Sequence, residues 1–165
     1  MGKTVYEVEE FLKKPLELKK EIRAEEDHIA SLRSIVDDRT THLSHTAGRN
    51  PSKNNDAFEK VMAEIVEAEK ALEEKRQKLT YSRRSVEALI SRMPGERERQ
   101  ILRYKYLKGL QMGNIRYIME LPKSTAYDLL AAAMRQASKI YRKMQKNNEI
   151  RTTPDSAGPV RTLKM

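Results

Sequence analysis

A seven-residue apolar repeat in the middle of the chain constrains the fold more than any other feature. Its members are Phe58, Ile65, Leu72, Leu79, Val86 and Met93. Such spacing lets a helix present one apolar seam to a partner helix. A helix over residues 56–93 is about 57 Å long at the usual rise per residue. Because no core of a small globular domain needs such a helix, the repeat predicts a second helix packed along the first.

An earlier stretch of the chain supplies that partner. Its apolar residues on the a and d positions of one heptad frame are Leu18, Ile22, Ile29, Leu32, Val36 and Leu43. Pro15 breaks the pattern upstream, so residues 5–14 form either a separate helical turn or a kinked extension. Residues 44–55 are rich in Gly, Pro and Asn and are predicted to form a loop, with Asp56 as the N-cap of the next helix. We therefore predict an antiparallel helical hairpin over residues 1–93.

Polar residues interrupt both seams of the predicted hairpin. Glu25 and Arg39 occupy seam positions in the first helix, and Lys75 and Ser82 do so in the second. A seam interrupted in this way buries little apolar surface, so we expect a second copy of the hairpin to cover it. The hairpin is accordingly interpreted as an oligomerisation or partner-binding module.

The charge of the chain is distributed unevenly. Residues 1–93 contain 18 basic and 18 acidic side chains, whereas residues 94–165 contain 15 basic and 6 acidic ones, so the C-terminal part carries the whole net charge of +9. A one-sided excess of this kind is typical of proteins that contact phosphates. The charge distribution therefore indicates a nucleic-acid partner for the C-terminal part.

Residues 94–146 are predicted to form three shorter helices. Their expected limits are Glu96–Lys108, closed by Gly109, then 111–119, and last Lys123–Lys143. The turn between the last two helices contains Pro122, which cannot continue a preceding helix. Apolar residues stand before, inside and after this turn, namely Ile115, Ile118, Leu121, Ala126 and Leu129. This pattern predicts a helix-turn-helix, whose second helix enters the major groove of DNA.

The same stretch resembles region 4 of bacterial sigma-70 factors. The resemblance rests on ERERQILRYKYLKGL followed by MGNIRYIMELPKSTAYDLLAAAMRQASKIY, with Arg99, Leu102, Gly109-Leu110 and Ser124-Thr125 among the shared landmarks. The whole chain is similar to small phage and prophage transcription regulators, including late-transcription activators of the ArpU/RinA type. The resemblance implies a DNA-binding protein of the bacterial host cytoplasm that acts with host RNA polymerase. Two positions depart from the family: Glu120, where it often has Gly, and Arg116, where it prefers Ala.

The predicted interface with double-stranded DNA comprises Lys123, Ser124, Thr125, Tyr127, Asp128, Arg116 and Arg135. Lys123 and Ser124 suit phosphates, while Thr125 and Tyr127 are placed to reach base edges. Asp128 is repelled by phosphates, so it either contacts a cytosine amino group or points away. Arg116 and Arg135 are candidate clamps on the DNA backbone, as are four cations further along the last helix, Lys139, Arg142, Lys143 and Lys146.

The sequence contains no pattern that predicts catalysis or a cofactor. The chain has no Cys, and His42 and His45 lack the carboxylate neighbours that would turn them into a metal site. No nucleophile stands near a base, and no Gly-rich loop suits phosphates. We expect neither an enzyme nor a metal protein, and no apolar run predicts a membrane-spanning helix. Residues 147–165 lack periodicity and are expected to form a disordered tail.

Two other classes of function also combine these features. A phage small terminase joins a helix-turn-helix to coiled-coil helices and forms rings, although its DNA-binding module usually precedes the coiled coil. An adaptor would use the helix-turn-helix to grip polymerase without touching DNA. The sequence as a whole predicts an all-α regulator with its hairpin in residues 1–93 and its DNA-binding domain in residues 94–146.

Overall fold

The computed structural model describes residues 2–43 and 51–149, and the regular secondary structure of these residues is helical. Its α-helices are α1 (Gly2–Leu43), α2 (Pro51–Ser91), α3 (Glu96–Leu102), α4 (Met112–Met119) and α5 (Lys123–Lys146), with a π-helical segment at Arg103–Leu107 between α3 and α4. The predicted all-α class is confirmed, and the described residues include no strand. Among the helices of the described residues, none combines the length and the apolar character needed to cross a membrane.

Helix α1 continues through Pro15, so of the two alternatives for residues 5–14 the structure shows the helical extension and not a separate turn. Proline has no amide hydrogen to donate to the carbonyl four residues earlier, here that of Phe11, which normally weakens a helix. Burial compensates for this loss, because Val8, Leu12 and Pro15 are all buried. The burial of these apolar side chains therefore outweighs the destabilising effect of the proline, and the helix stays continuous.

Helix α2 begins at Pro51, five residues before the predicted start. Proline suits the first position of a helix, where its missing amide hydrogen costs nothing. The loop prediction is therefore wrong for residues 51–55, and Asp56 lies inside the helix rather than at its N-cap. The rest of the predicted loop, residues 44–50, lies outside the described residues.

The chain divides into two compact units. One consists of Lys13–Arg84, and the other combines Met1–Leu12 with Ser85–Met165. The two functional modules predicted at 1–93 and 94–146 stay a prediction, but the compact units do not follow their boundary. The second unit contains the start of α1 and the end of α2, since Val8 and Leu12 of α1 and Leu89 of α2 belong to its core.

Within the unit Lys13–Arg84, α1 and α2 fit the predicted helical hairpin. Ile22 and Ile29 of α1 pack in one cluster with Ala68 and Leu72 of α2. The register is antiparallel, because Glu25 accepts a hydrogen bond from Lys75 at 2.8 Å while Arg33, further along α1, pairs with Glu69, further back along α2. Two of the polar residues that interrupt the seams, Glu25 and Lys75, thus satisfy one another.

The core of the other unit draws on every helix. Its buried side chains are Val8, Leu12, Val86, Leu89, Ile90, Met93, Ile101, Leu102, Tyr106, Ile115, Ala133, Ala137, Tyr141 and Met144. The rings of Phe11 and Tyr141 pack against one another at 5.2 Å between centroids, which ties α1 to α5. Beyond α5, Glu149 pairs with Arg92, while residues 150–165 of the predicted tail lie outside the described part of the chain.

Arg99 and Gly109 determine how the segment between α2 and α4 begins and ends. Arg99 donates from Nη1 to the carbonyl oxygen of Met93 at 2.6 Å, which satisfies a free acceptor after the end of α2. The predicted single helix Glu96–Lys108 changes to π-helical hydrogen bonding after Leu102, with the Lys108 amide donating to Arg103 at 3.0 Å. Gly109 closes it at φ 72°, the left-handed conformation for which glycine was predicted there.

Candidate nucleic-acid interface

A three-residue connection, Glu120–Pro122, joins α4 to α5; we call it the elbow. The Glu120 amide donates to the carbonyl of Tyr117 at 3.3 Å, and the Leu121 amide donates to that of Arg116 at 2.9 Å. These two bonds form a Schellman motif, which requires a left-handed residue at its centre. Glu120 takes that conformation, at φ 54° and ψ 45°. The elbow therefore keeps the geometry that a glycine favours, although a glutamate occupies the position.

Pro122 starts α5 on the other side of the elbow. It is extended at φ −60° and ψ 157°, and its carbonyl accepts from the Ala126 amide at 3.0 Å. No side chain caps this end of α5. The amide hydrogens of Lys123, Ser124 and Thr125 therefore remain available, since the first turn of a helix has no acceptors of its own.

Buried residues on both sides lock the elbow to the core. Ile115 of α4 and Ala126 of α5 are both completely buried, as their predicted role in the turn requires. Leu121 and Leu129 are half-buried. Ile118 is 48% exposed, so its predicted place in the interior is wrong. At 100° per residue, Ile118 lies about 60° around α4 from Ile115, on the side away from the half-buried Met112 and Met119.

Five of the predicted site residues lie in the first two turns of α5. They are Lys123, Ser124, Thr125, Tyr127 and Asp128, all of them exposed. Arg135 is exposed too, two turns further along the helix. The structure thus exposes the predicted reading residues around the first two turns of α5, next to the elbow, over an arc of about 200° at 100° per residue. No hydrogen bond or ion pair ties the side chains of these six residues to any other described residue.

Arg116 is placed differently from the other six site residues. Its side chain is half-buried, and its Nε is buried without a hydrogen-bond partner among the described residues. The aliphatic part of an arginine can lie along apolar surface while its head reaches outward. Arg116 therefore occupies the α4 position where the resembling family prefers alanine, and its buried Nε is out of reach of a ligand at the surface.

Tyr117 is the residue of this surface that the sequence interpretation missed. Aromatic residues on the short helices of a small domain are usually buried, which predicts Tyr104, Tyr106 and Tyr117 in the core, but Tyr117 is 87% exposed. Tyr104 is half-buried and Tyr106 buried, as expected. The helical phase contained the signal, because Tyr117 lies about 200° around α4 from the buried Ile115. Tyr117 therefore belongs to the exposed surface of the elbow, together with Tyr127.

Tyr106 illustrates the opposite environment. It lies in the π-helical segment, and its hydroxyl donates to Met134 Sδ of α5 at 3.9 Å. Burial disfavours the phenolate and, together with the negative charge of Glu9, raises the pKa of Tyr106 to about 12. The hydroxyl therefore stays protonated at neutral pH and serves the packing between the π-helical segment and α5.

The charges around the elbow nearly cancel. Glu120 and Asp128 are exposed acids on either side of Lys123, and Arg116 is only half-exposed. The positive charge of the compact unit resides elsewhere, although the unit as a whole, residues 1–12 and 85–165, has 17 basic and 10 acidic side chains. The exposed surface around the elbow is therefore polar and aromatic, without a local excess of cations.

The comparisons with known proteins place the chain in a family. Residues 42–138 match the family model described as a protein of unknown function, DUF1492. The chain belongs to the DUF1492 family. The matched residues of this DUF1492 protein include α2 and the elbow, and they end within α5. No curated protein and no solved structure matches the chain.

Proposed function

We propose that this DUF1492 protein is a sequence-specific DNA-binding regulator of transcription. The observation that carries the proposal is the row of exposed side chains at the start of α5, which the buried Ile115 and Ala126 hold at a fixed elbow. A helix presented by its first turns is the form in which a helix-turn-helix offers side chains to the major groove. The excess of positive charge in the same compact unit supports a polyanionic partner.

The uncapped start of α5 gives the proposal its chemistry. Free amides and the positive end of the helix dipole favour a phosphate there, and Lys123 and Ser124 stand beside them to share it. Thr125 and Tyr127 project from the same turns and are assigned to base edges or a thymine methyl group. Phosphate contacts would position the protein, and the base contacts would select the sequence.

The biological setting is proposed from the resemblance described above. A region-4-like domain in a small phage-type protein suggests an activator that works with host RNA polymerase in the bacterial cytoplasm. The hairpin of α1 and α2 is proposed to provide self-association, because its buried seam is short compared with its length. Light scattering tests this part: a dimer agrees with a regulator, whereas a ring of eight or more subunits favours a small terminase.

Gel-shift titrations at two salt concentrations test DNA recognition, with sites first selected from a random duplex library. Lys123→Ala is expected to weaken binding to all duplexes alike, because a phosphate contact carries no sequence information. Thr125→Ala is expected to weaken binding to the selected site more than to random DNA. Lys70→Ala and Thr80→Ala make the same changes on exposed parts of α2 and serve as controls. Unchanged selectivity and affinity in both α5 variants would remove this surface from the proposed mechanism.

One observation favours a second candidate, the polymerase-binding adaptor. The elbow surface lacks excess positive charge and exposes Tyr117 at 87% and Ile118 at 48%, which suits a protein partner at least as well as DNA. Polymerase capture that survives Thr125→Ala but is lost in Tyr117→Ala, with no duplex binding at low salt, would select the adaptor. Sequence-selective duplex binding would select the regulator.

A further inference from the structure

The second half of α5, away from the elbow, carries five exposed cations, the ones that the sequence offers as candidate clamps on the DNA backbone. We define the α5 cation stripe as Arg135, Lys139, Arg142, Lys143 and Lys146. At 100° per residue, all of them except Lys143 fall within an arc of about 60°, and they extend over about 16 Å of helix. The arc lies opposite the buried side of α5, which includes Ala133, Ala137 and Tyr141. The stripe is therefore one continuous outward-facing surface.

The cations of the stripe are not neutralised by the protein itself. None of them forms an ion pair within the part of the chain that the structure describes. Arg142 donates to the neutral hydroxyl of Thr4 at 2.8 Å, which orients the guanidinium without cancelling its charge. Two acids lie near this half of α5. Glu7 helps burial to raise the pKa of Tyr141, and Glu149, just beyond the helix, pairs with Arg92. Two acids beside five cations, one of them already paired, leave a positive field.

Helix stability does not explain the stripe. Cations stabilise a helix only within its last turn, where they offset the negative end of the dipole. Lys143 and Lys146 lie in that turn, but Arg135 and Lys139 lie further back. A solubilising surface normally mixes both signs of charge, whereas Asp128 is the one acid in α5 and precedes the stripe. The arrangement thus calls for a polyanionic partner.

We propose that the α5 cation stripe is a sequence-independent binding site for the phosphates of duplex DNA, separate from the reading residues at the elbow. The inference rests on the proposed function only for the choice of DNA as the polyanion. It assigns affinity and selectivity to different halves of one helix. The stripe supplies the electrostatic attraction that the nearly neutral elbow lacks, and the elbow discriminates between sequences once the duplex is held.

The test compares two variants with an equal loss of charge in the full-length protein. The first replaces the five stripe residues with glutamine. The control makes the same replacement at five exposed cations in Lys13–Arg84 that form no ion pair with a described residue, Lys19, Lys20, Arg23, Lys60 and Lys70. Binding to a selected site and to random duplex is measured from 50 to 300 mM salt. If the first variant unfolds, a second one that keeps Arg142, and with it the bond to Thr4, replaces it, and the control then keeps Arg23.

The stripe variant is expected to bind both duplexes more weakly, by tenfold or more at low salt. Its log–log salt slope should fall by roughly 0.9 for each phosphate that the variant no longer neutralises, about three or four phosphates in total. The control is expected to keep the wild-type slope. A stripe variant with unchanged slope, or a control whose slope falls equally, would overturn the inference even if selective binding persists.

The outcomes also separate this inference from the proposed function. Stripe-dependent binding to random duplex without any preferred site would leave the stripe in place and remove the sequence-specific regulator. Absence of duplex binding by the wild type would overturn both. Anionic phospholipid vesicles and polyglutamate provide the remaining comparison. Equal, stripe-dependent affinity for either one would overturn duplex DNA as the partner and replace it with a membrane surface or an acidic protein.

Discussion

At the scale of single residues, Glu120 has a backbone conformation that its side chain disfavours. Three helix ends of the described chain are closed by residues at positive φ, namely Gly109, Glu120 and Asn148. Glycine tolerates this conformation freely and asparagine tolerates it better than most residues, whereas a glutamate there carries a cost of about 1–2 kcal/mol. The resemblance to region 4 pointed to glycine at this position, and the backbone agrees with the family even though the side chain does not.

Replacing Glu120 with glycine is therefore expected to stabilise the protein. Relief of the left-handed strain exceeds the extra entropy that glycine gives the unfolded chain, about 0.4–1 kcal/mol, so the net gain should be roughly 0.5–1 kcal/mol. Urea unfolding measures it as a raised midpoint. Glu120→Ala is the matched control, because it removes the same carboxylate but retains the strain. An equal gain in both variants would mean that charge, not conformation, governs this position.

Asp128 is the residue that tests how the proposed interface discriminates. It is exposed on α5 beside Tyr127 and has no described partner. If a duplex lies against this surface, the carboxylate repels phosphates at every sequence alike. Asp128→Asn should then strengthen binding to random duplex by a few-fold and lower the selectivity for the preferred site. Fluorescence anisotropy with both duplexes measures the two affinities. A loss of affinity confined to the preferred site would instead identify Asp128 as a direct contact to cytosine.

At the scale of helices, the sequence was most informative where apolar spacing is regular. The seven-residue repeat correctly predicts two long antiparallel helices, and Ile115 and Ala126 correctly predict the buried sides of the elbow. The loop prediction failed at Pro51, because proline is harmless in a first turn. At Pro15 the sequence left a break and an extension open, and the helix continues because the burial around Val8 and Leu12 outweighs one missing hydrogen bond. The π-helical segment has no signature in a 3.6-residue period, so packing alone reveals it.

The interrupted seam of the hairpin yields a pH prediction. The hydrogen bond from Lys75 and its positive charge lower the pKa of Glu25 below its ordinary value of 4.5, against an opposing effect of burial. Since the folded state holds the ionised form more strongly, this contribution is complete above the ordinary pKa and disappears as the pH falls through the lowered one. The hairpin should therefore lose stability as the pH falls below about 4.5.

Lys75→Gln isolates that contribution. The variant should be less stable than the wild type at pH 7, and the difference should shrink as the pH falls below 4.5, since protonated Glu25 no longer benefits from the lysine. Thermal melts followed by circular dichroism at pH 7 and pH 3 measure the two differences. Lys78→Gln removes an exposed lysine one turn further on and should show no such change. A difference that is independent of pH would show that Lys75 acts by packing alone.

At the scale of the whole molecule, the compact units divide the chain differently from its sequence patterns. Composition changes near residue 93, where the apolar repeat ends and the positive charge begins. The core that supports the elbow nevertheless includes Val8 and Leu12 at the start of the chain. Apolar periodicity cannot predict such a contact, because it shows that a helix face is buried but not which part of the chain covers it. The sequence therefore located the candidate site but not the residues that hold it in shape.

This dependence on both chain ends leads to a prediction about fragments. Residues 94–146 alone lack Val8, Leu12, Leu89 and Ile90, all completely buried or nearly so in the intact unit. Since each large apolar side chain contributes about 1.5–3 kcal/mol on burial, removing several of them together is comparable to the whole stability of an ordinary small domain, about 5–15 kcal/mol. The fragment should therefore be largely unfolded by circular dichroism and should not bind duplex DNA.

Phe11→Ala tests the same dependence without cutting the chain. Phe11 is half-buried against Tyr141, so its removal should cost about 2 kcal/mol, less than the ~3–5 kcal/mol typical of a fully buried phenylalanine. Hydrogen exchange should show that amides of α5 lose protection while those of α2 within the hairpin keep it. Tyr6→Ala, five residues earlier on an exposed position, serves as the control. Equal protection of α5 in both variants would mean that the first turns of α1 merely rest on this unit, and an isolated 94–146 domain would again be expected to fold.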